Sequence, residues 1–344
     1  MDLPYASPDH LEPFDEIIDV RSPGEYWLDH IPGALNLPVL DDFQRAHIGL
    51  LYKQSSPFEA KKQGAALISA AIAEHLQQHF AGKPKRYRPV LYCWRGGQRS
   101  QSMAVILRAI GWYPMLIKGG YKAYRRQVIA DIQNFSARLE VRLISGLTGV
   151  GKTRLLAYLA REGAQVLDLE ALAAHRGSLL GATELPQPSQ KRFESLLCAA
   201  VKGMDYGKPL YIEAESRKIG QLFIPEALWA RMRIAKAIEI RASVETRVAI
   251  LLEEYQHLCD QKAVRDALIS KLKYHHGKAK VAEWLALSQA GQMFCLIERL
   301  LTEHYDPMYK YAQSRSLRRT KCLQLKGNSE ENCSVLARQV LDLE

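Results

Sequence analysis

No two of the six cysteines form a C-x-x-C pair: Cys93, Cys198, Cys259, Cys295, Cys322 and Cys333 are widely and irregularly spaced. The ten histidines show no ligand-like spacing with them. This pattern argues against a structural zinc site or a disulfide framework and fits reduced thiols. Long apolar runs are also missing. The stretch around Ala65 to Ala73 falls far short of the ~20 residues that a membrane-spanning helix needs. The first residues, Met1 to Glu16, are acidic and carry no apolar core of a secretory signal. A cytoplasmic protein without membrane contact is expected. Internal repeats and low-complexity segments are absent.

Acidic residues are scarce in particular places. Residues 1–60 carry 3 basic and 11 acidic side chains, whereas residues 61–138 carry 14 and 2. The overall balance is +10. A basic surface confined to certain stretches suggests a polyanionic partner, although solvated helix faces can look the same. At 344 residues the chain exceeds what one hydrophobic core ordinarily supports, so two domains are expected.

The pattern along the chain is one of strands alternating with helices. Ile17 to Val20, Val90 to Tyr92 and Met115 to Ile117 read as short buried strands. Residues 59–80 and Ser100 to Ile110 read as helices, the second stopped by Gly111. A new unit begins near Leu139, with strands at Val141 to Ser145, Gln165 to Leu167, Leu210 to Ile212 and Ala235 to Ile240. A helix is expected over Lys152 to Arg161, mostly helical chain over 244–303, and a late strand at Cys322 to Leu325. Asn328 or Ser329 would cap a final helix to Leu343. Such alternation predicts α/β architecture with parallel sheets. The boundaries expected are 10–134 for the first domain and 139–344 for the second. The second would have a sheet core over 139–243 and 318–344, and a helical, basic insertion over 244–317.

Two loops carry chemistry. The first is Cys93-Trp94-Arg95-Gly96-Gly97-Gln98-Arg99-Ser100, between a strand and a helix. Loop amides and a helix N-terminus converge there, which favours negative charge, and Arg95 and Arg99 add to it. A thiolate is a strong nucleophile, so Cys93 is the candidate catalytic residue, with Arg95, Gly96, Gly97 and Arg99 shaping its loop. Cys198, Cys259 and Cys295 lie in apolar helical stretches and read as inert.

The second is Gly146-Leu147-Thr148-Gly149-Val150-Gly151-Lys152-Thr153, which matches G-x-x-x-x-G-K-[ST] between a strand and a helix. Gly146, Gly149 and Gly151 allow the backbone to curve around phosphates, Lys152 meets their charge, and Thr153 would ligate Mg²⁺ if one binds. Glu213 and Glu215, after a strand, are candidates for the acidic metal-side group, and Asp168 for contact with a second substrate. Carboxylates at strand ends are also often only solvated.

The upstream stretch Asp19-Val20-Arg21, Glu25-Tyr26, His30-Ile31-Pro32-Gly33-Ala34, Asn36 and Pro38 resembles the opening of a rhodanese domain, and the Cys93 loop resembles its catalytic loop. Five residues separate Cys93 from Arg99, one more than in the common sulfurtransferase loop. That longer loop resembles rhodanese-like phosphatases, where it admits a tetrahedral phosphorus group. A rhodanese-like domain followed by a P-loop NTPase-like domain resembles the tRNA 2-selenouridine synthase family. The segments Asp168-Leu169-Glu170, His175-Arg176-Gly177-Ser178, Glu213 to Gly220 and Tyr305-Asp306-Pro307-Met308-Tyr309 support it.

The resemblance implies a transferase that acts on the wobble 2-thiouridine of tRNA in two stages. Geranyl diphosphate first alkylates the sulfur, and selenium from selenophosphate then displaces the S-geranyl group. Cys93 would carry the selenium as a selanyl-cysteine, and no tightly bound cofactor is implied. The P-loop could hold the diphosphate of geranyl diphosphate, a nucleotide or tRNA phosphate, since all present the same oxygens to the same amides. Two rival readings are a persulfide sulfurtransferase with an NTP-driven domain and a non-catalytic RNA-binding regulator. The longer loop argues against the first, and its intact nucleophile against the second.

For tRNA contact the candidates are Lys271, Lys273 and Lys278, from a run with His275, His276 and Lys280 but no acid. Arg318 and Arg319 come from a second run with Lys310, Arg315, Lys321 and Lys326. Lys83, Lys85, Arg86 and Arg88 form a further basic loop. Tyr274, Tyr309 and Tyr311 are interleaved and could stack on unpaired bases.

Overall fold

Short apolar strands separated by amphipathic helices assemble into two parallel sheets, each with its own core. The computed structural model describes residues 3–11, 13–175, 186–214, 216–256, 261–313 and 318–343. For 310–313 and 318–320 it describes the backbone only. One compact unit comprises Met1–Ile132 with Pro188–Ala199, and the other Gln133–Gln187 with Ala200–Glu344.

In the first unit the elements run β1 (Tyr5–Ala6), β2 (Glu16–Asp19), α1 (Pro23–Leu28), β3 (Leu35–Asn36), α2 (Asp42–Gln54) and α3 (Pro57–Gln78). They continue with β4 (Pro89–Tyr92), α4 (Gln98–Ile110), β5 (Met115–Ile117) and α5 (Gly120–Arg138). The sheet order is β1-β5-β4-β2-β3 with every pairing parallel. All four residues of β4 are buried, as a strand covered on both faces requires. Ile18, Val20, Leu91, Met103, Ala104, Leu107 and Leu116 form the centre of its core.

The helix starts follow from local chemistry. Ser22 and Glu25 form a capping box at α1, with Pro23 in the first turn, and Asp41 with Gln44 forms another at α2. Much of the rhodanese-like opening proves to be scaffold. Arg21, 1% exposed, is forked onto Asp19, 0% exposed, and donates to the Asp29 carbonyl at 2.6 Å. A buried arginine survives only with such partners. Asn36 ties the same turn by donating to the carbonyls of Asp19 and Arg21.

The stretch Pro188–Ala199 lies inside the second segment of the sequence but packs within the first unit. Here helix α8 (Gln190–Val201) buries Phe193 and Leu197, its Glu194 pairs with Arg125, and its Ser195 donates to Asp29 at 3.0 Å. That helix is preceded by α6 (Lys152–Arg161) and α7 (Leu169–Leu172) of the second unit.

The second sheet contains β6 (Val141–Ser145), β7 (Gln165–Leu167), β8 (Leu210–Glu213), β11 (Lys236–Arg241) and β12 (Arg318–Gln324) in the order β12-β11-β6-β8-β7. All of its pairings are parallel. A small hairpin, β9 (Lys218–Ile219) and β10 (Leu222–Phe223), and α9 (Glu226–Ile234) precede β11. Between β11 and β12 the chain is helical: α10 (Val244–Glu254), α11 (Lys262–Lys271), α12 (Lys273–Gln289) and α13 (Met293–Leu300). A π-helical turn, Leu301–Tyr305, leads into α14 (Asp306–Gln313). The last helix, α15 (Glu330–Leu341), is capped by Ser329. Trp284, Ile269, Leu272, Val281, Leu296 and Leu300 give this helical part its own small core. Among the described residues no helix is long and apolar enough to cross a membrane.

Candidate active sites

The Cys93 loop follows the central strand β4, at the carboxyl end of the first sheet. Cys93 is 4% exposed, and two groups are aimed at its sulfur: the Gly97 N–H at 3.2 Å and the Ser100 hydroxyl at 3.3 Å. Both can donate to the sulfur, the Ser100 hydroxyl alternatively to the Gly97 carbonyl at 3.2 Å. In the thiol form the proton can point to the Gly97 carbonyl at 3.7 Å. Ser100, fully buried in the first turn of α4, was not among the sequence candidates. Its signal was its place, one turn past the loop glycines on the helix that receives the loop.

The two arginines of the loop are placed differently. Arg99 donates to Glu25 at 2.6 and 3.4 Å, and Arg45 stands 3.6 Å from the same carboxylate. Burial acts to raise the Glu25 pKa, but the hydrogen bond and charge of Arg99 outweigh it and hold the carboxyl below its usual range. Arg99 thus closes the loop against α1 as an ion pair, so its charge is largely answered by Glu25. Arg95 is exposed at the loop tip.

The loop's other wall is the start of α5. Tyr121 N–H donates to the Cys93 carbonyl at 2.9 Å, and Lys122 N–H to that of Trp94 at 3.0 Å. Gly120 has φ +59, and a Cβ there would lie 2.3 Å from the Cys93 carbonyl oxygen, so no other residue fits. Trp94 packs its ring 5.2 Å from that of Tyr121. The Tyr121 hydroxyl donates to buried Asp29 at 2.8 Å, whose carboxyl is raised by burial against the opposing effect of its hydrogen bonds.

The phosphate loop follows the central strand β6 of the second sheet. Neighbouring carboxyl strand ends contribute Glu213 from β8 and Asp168 after β7, so ligand-facing groups gather where open α/β sheets bind ligands. Gly146 has φ +155, with the Ile240 carbonyl oxygen 2.5 Å from where a Cβ would lie, which explains the glycine. Lys152 donates to the Gly146 carbonyl at 3.4 Å, spanning the loop. Thr153 hydrogen-bonds Glu213.

Glu213 is 2% exposed, and its Oε1 has no partner. Burial pushes its pKa up to about 7; Lys152 pulls it down, and Glu170 and Asp168 push it up again. Asp168 caps α7 by accepting from Ala171 N–H at 2.8 Å. Glu215, Arg176, Gly177, Ser178 and Cys259 lie outside the described residues. Among the described residues, no three His, Cys, Asp or Glu side chains gather as a ligand set for a metal.

Below about pH 7 Glu213 is largely neutral, and above it a negative charge develops beside the loop. Anion affinity should therefore fall as pH rises through about 7, and Glu213→Gln should flatten that fall. Pyrophosphate titrations of both proteins at several pH values check it, since the ligand's own titration is common to the two. Parallel pH profiles would contradict the assignment.

Of the basic candidates, Lys271, Lys273 and Lys278 are exposed, and Tyr274 is 83% exposed beside Lys273. Lys280 is engaged with Glu303 at 2.9 Å, and Lys83 with Glu16. Tyr309 does not stand out as a base-stacking residue: its hydroxyl accepts the Gly146 N–H at 3.1 Å, so it is a phosphate-loop residue. The side chains of Lys310, Tyr311, Arg315, Arg318 and Arg319 lie outside the described residues.

Both parts of the chain match known families. The family model for the tRNA 2-selenouridine synthase AAA domain matches residues 139–283, and that for the rhodanese-like domain matches residues 7–127. A Nitrosomonas europaea protein named tRNA 2-selenouridine synthase is 39% identical over 243 residues, covering 70% of this chain and 63% of that one. Its Marinobacter nauticus namesake is 35% identical over 327 residues, 86% and 87% of the two chains. The Bdellovibrio bacteriovorus namesake is 38% identical over 265 residues, 74% and 69%. With both domain types present in the same order, and such identity across most of the Marinobacter chain, this chain belongs to the tRNA 2-selenouridine synthase family.

Proposed function

We propose that the protein is a cytoplasmic transferase that replaces sulfur by selenium at the wobble 2-thiouridine of tRNA, through an S-geranyl intermediate. The observation that supports this most is the pairing, in one chain, of a thiol held by two donors with a complete phosphate loop. In the first stage the uridine sulfur attacks geranyl diphosphate, a carbon–sulfur bond forms, diphosphate leaves, and the uridine loses a proton. In the second, S-geranyl-2-thiouridine, selenophosphate and water give 2-selenouridine, geranylthiol and phosphate.

The residues divide along those stages. Lys152 and the loop amides of Gly146–Thr153 would bind the leaving diphosphate, and a Mg²⁺ brought with it would rest on Thr153 and Glu213. Because phosphate is the product, a selanyl-cysteine would need a two-electron oxidant; the step that balances is attack of the Cys93 thiolate on phosphorus, the sulfur–phosphorus bond forming as the selenium–phosphorus bond breaks, with Gly97 N–H and the Ser100 hydroxyl beside the attacking sulfur. The freed hydroselenide would displace the S-geranyl group, and water would cleave the thiophosphate on Cys93 to phosphate. The loop of five residues between Cys93 and Arg99 suits a tetrahedral phosphorus donor.

Nucleoside mass spectrometry with one co-substrate withheld tests the order. Without selenophosphate, S-geranyl-2-thiouridine should accumulate; without geranyl diphosphate, 2-thiouridine should stay unchanged. Selenouridine formed without geranyl diphosphate would remove the first stage.

tRNA binding should be salt-dependent through the exposed lysines. Each phosphate contact contributes about 0.7–0.9 to the slope of log affinity against log salt. Lys271→Glu with Lys273→Glu is therefore expected to flatten the slope by about 1.4–1.8. Filter binding between low and moderate salt measures it, and an unchanged slope would take this run out of the tRNA surface.

A further inference from the structure

The segment Tyr305-Asp306-Pro307-Met308-Tyr309 has no part in the chemistry above, yet it reaches the phosphate loop from outside. The chain arrives there through the π-helical turn Leu301–Tyr305, in which the Asp306 N–H reaches back five residues to the Leu301 carbonyl. Pro307 has no N–H with which to continue the ordinary ladder. A π-turn shifts the face that all later residues present, and such turns occur often at functional sites. Asp306 and Tyr309 are three residues apart and share one face of α14.

From that face two contacts converge on the loop. Asp306 accepts two bonds from Arg247, at 2.9 and 2.6 Å. Arg247 is 2% exposed, comes from α10, and turns its third donor, Nε, onto the Thr148 carbonyl at 2.8 Å. The guanidinium fork grips the carboxylate with two nitrogens and still serves the carbonyl, and it could not stay buried without the carboxylate. Tyr309 accepts the Gly146 N–H at 3.1 Å, and its ring centre lies 5.9 Å from the Lys152 ammonium.

We infer that Asp306 and Tyr309 are positioning residues for the phosphate loop. Asp306 works through Arg247 and Tyr309 works directly. Together they hold Gly146 to Thr148 in the curved backbone that receives an anion. A loop held in this way needs less ordering when the anion binds, so the clamp strengthens affinity without touching the thiol chemistry. The inference rests on the reading of Gly146–Thr153 as an anion site, and not on the identity of the reaction.

The test is calorimetric titration of the full-length protein with inorganic pyrophosphate. Asp306→Asn, Tyr309→Phe, Arg247→Gln and the Arg247→Gln/Asp306→Asn pair are compared with wild type. Melting temperature and the rate of Cys93 alkylation by iodoacetamide are followed in parallel. Asp306→Asn should weaken pyrophosphate about 10-fold and Tyr309→Phe about 3-fold, the scale of one lost hydrogen-bonded contact. Cys93 alkylation should stay at the wild-type rate. The paired variant should bind no worse than Arg247→Gln alone by more than about twofold, because both changes open the same latch.

Affinities within twofold of wild type in both Asp306→Asn and Tyr309→Phe would overturn the inference. So would additive losses in the pair, or a wild type that does not bind pyrophosphate. If Asp306→Asn loses cooperative melting, Tyr309→Phe, which removes only a hydroxyl, decides alone. Failure of the selenium reaction would leave these binding results as they are, so the two readings fall separately.

Discussion

Cys93→Ser is expected to abolish selenium incorporation while leaving the fold in place. The serine oxygen can accept the same bonds from Gly97 N–H and Ser100 that the sulfur accepts now, so packing of this buried position changes little. What is lost is the nucleophile. A hydroxyl is far less acidic than a thiol, stays protonated in this setting, and attacks weakly. Two donors arranged around a sulfur anion cannot make up that difference. Geranylation should survive in the same variant, because that stage needs a diphosphate leaving group and no thiolate. Selenouridine formed by Cys93→Ser at the wild-type rate, measured on nucleosides from treated tRNA, would remove Cys93 from the mechanism.

Lys152→Ala should stop the reaction one stage earlier. If the loop holds the diphosphate of geranyl diphosphate, Lys152 meets charge that grows on the leaving group. Its loss then raises the barrier and does not merely weaken binding. Removing one such electrostatic contact typically costs on the order of 10²- to 10³-fold in rate. The neighbourhood makes the loss heavier. Lys152 is the charge that pulls the Glu213 carboxyl down, so removing it leaves a more proton-hungry acid beside an emptier loop. The variant should leave 2-thiouridine unmodified, yet convert pre-geranylated tRNA and selenophosphate to selenouridine through Cys93. Failure on both substrates by a normally folded variant would mean that the loop serves a step common to the two stages, such as an NTP-driven one.

The two loops were legible because each is written in consecutive residues. Strand β6, helix α6 and the loop between them occupy the bounds that periodicity and the glycine spacing predict. The same holds for β4, α4 and the cysteine between them to within two residues. Ser329, named as a cap from sequence, caps the last helix. Helix α2 was not legible by periodicity because it buries no residue; only the Asp41–Gln44 box announces it. Helix α5 was legible and overlooked. Tyr121, Tyr124, Val128, Ile132 and Phe135 recur at helical spacing and are all buried, but Gly119-Gly120 reads as the end of a strand and masks the helix start.

What remained hidden is long-range. Arg99 finds Glu25 from 74 residues away, an ion pair that braces the loop. Arg247 and Asp306, 59 residues apart, pair while Arg247 reaches the Thr148 carbonyl, and Tyr309 crosses 163 residues to Gly146. Spacing rules describe neighbours along one element, and these contacts are made by the packing of several. The same reason explains Pro188–Ala199, whose apolar face shows it is a helix but not which core it joins. Glu213 was legible as a carboxylate at a strand end; its burial, and so its proton, came only with the fold.

Replacement of sulfur by selenium on a tRNA uridine can be read directly by nucleoside mass spectrometry. The wild-type protein is incubated with 2-thiouridine-containing tRNA, geranyl diphosphate and selenophosphate. A nucleoside with the mass and isotope pattern of 2-selenouridine should appear, with geranylthiol released alongside it. Fully retained 2-thiouridine, from protein that is folded and binds the tRNA, would contradict the proposed replacement.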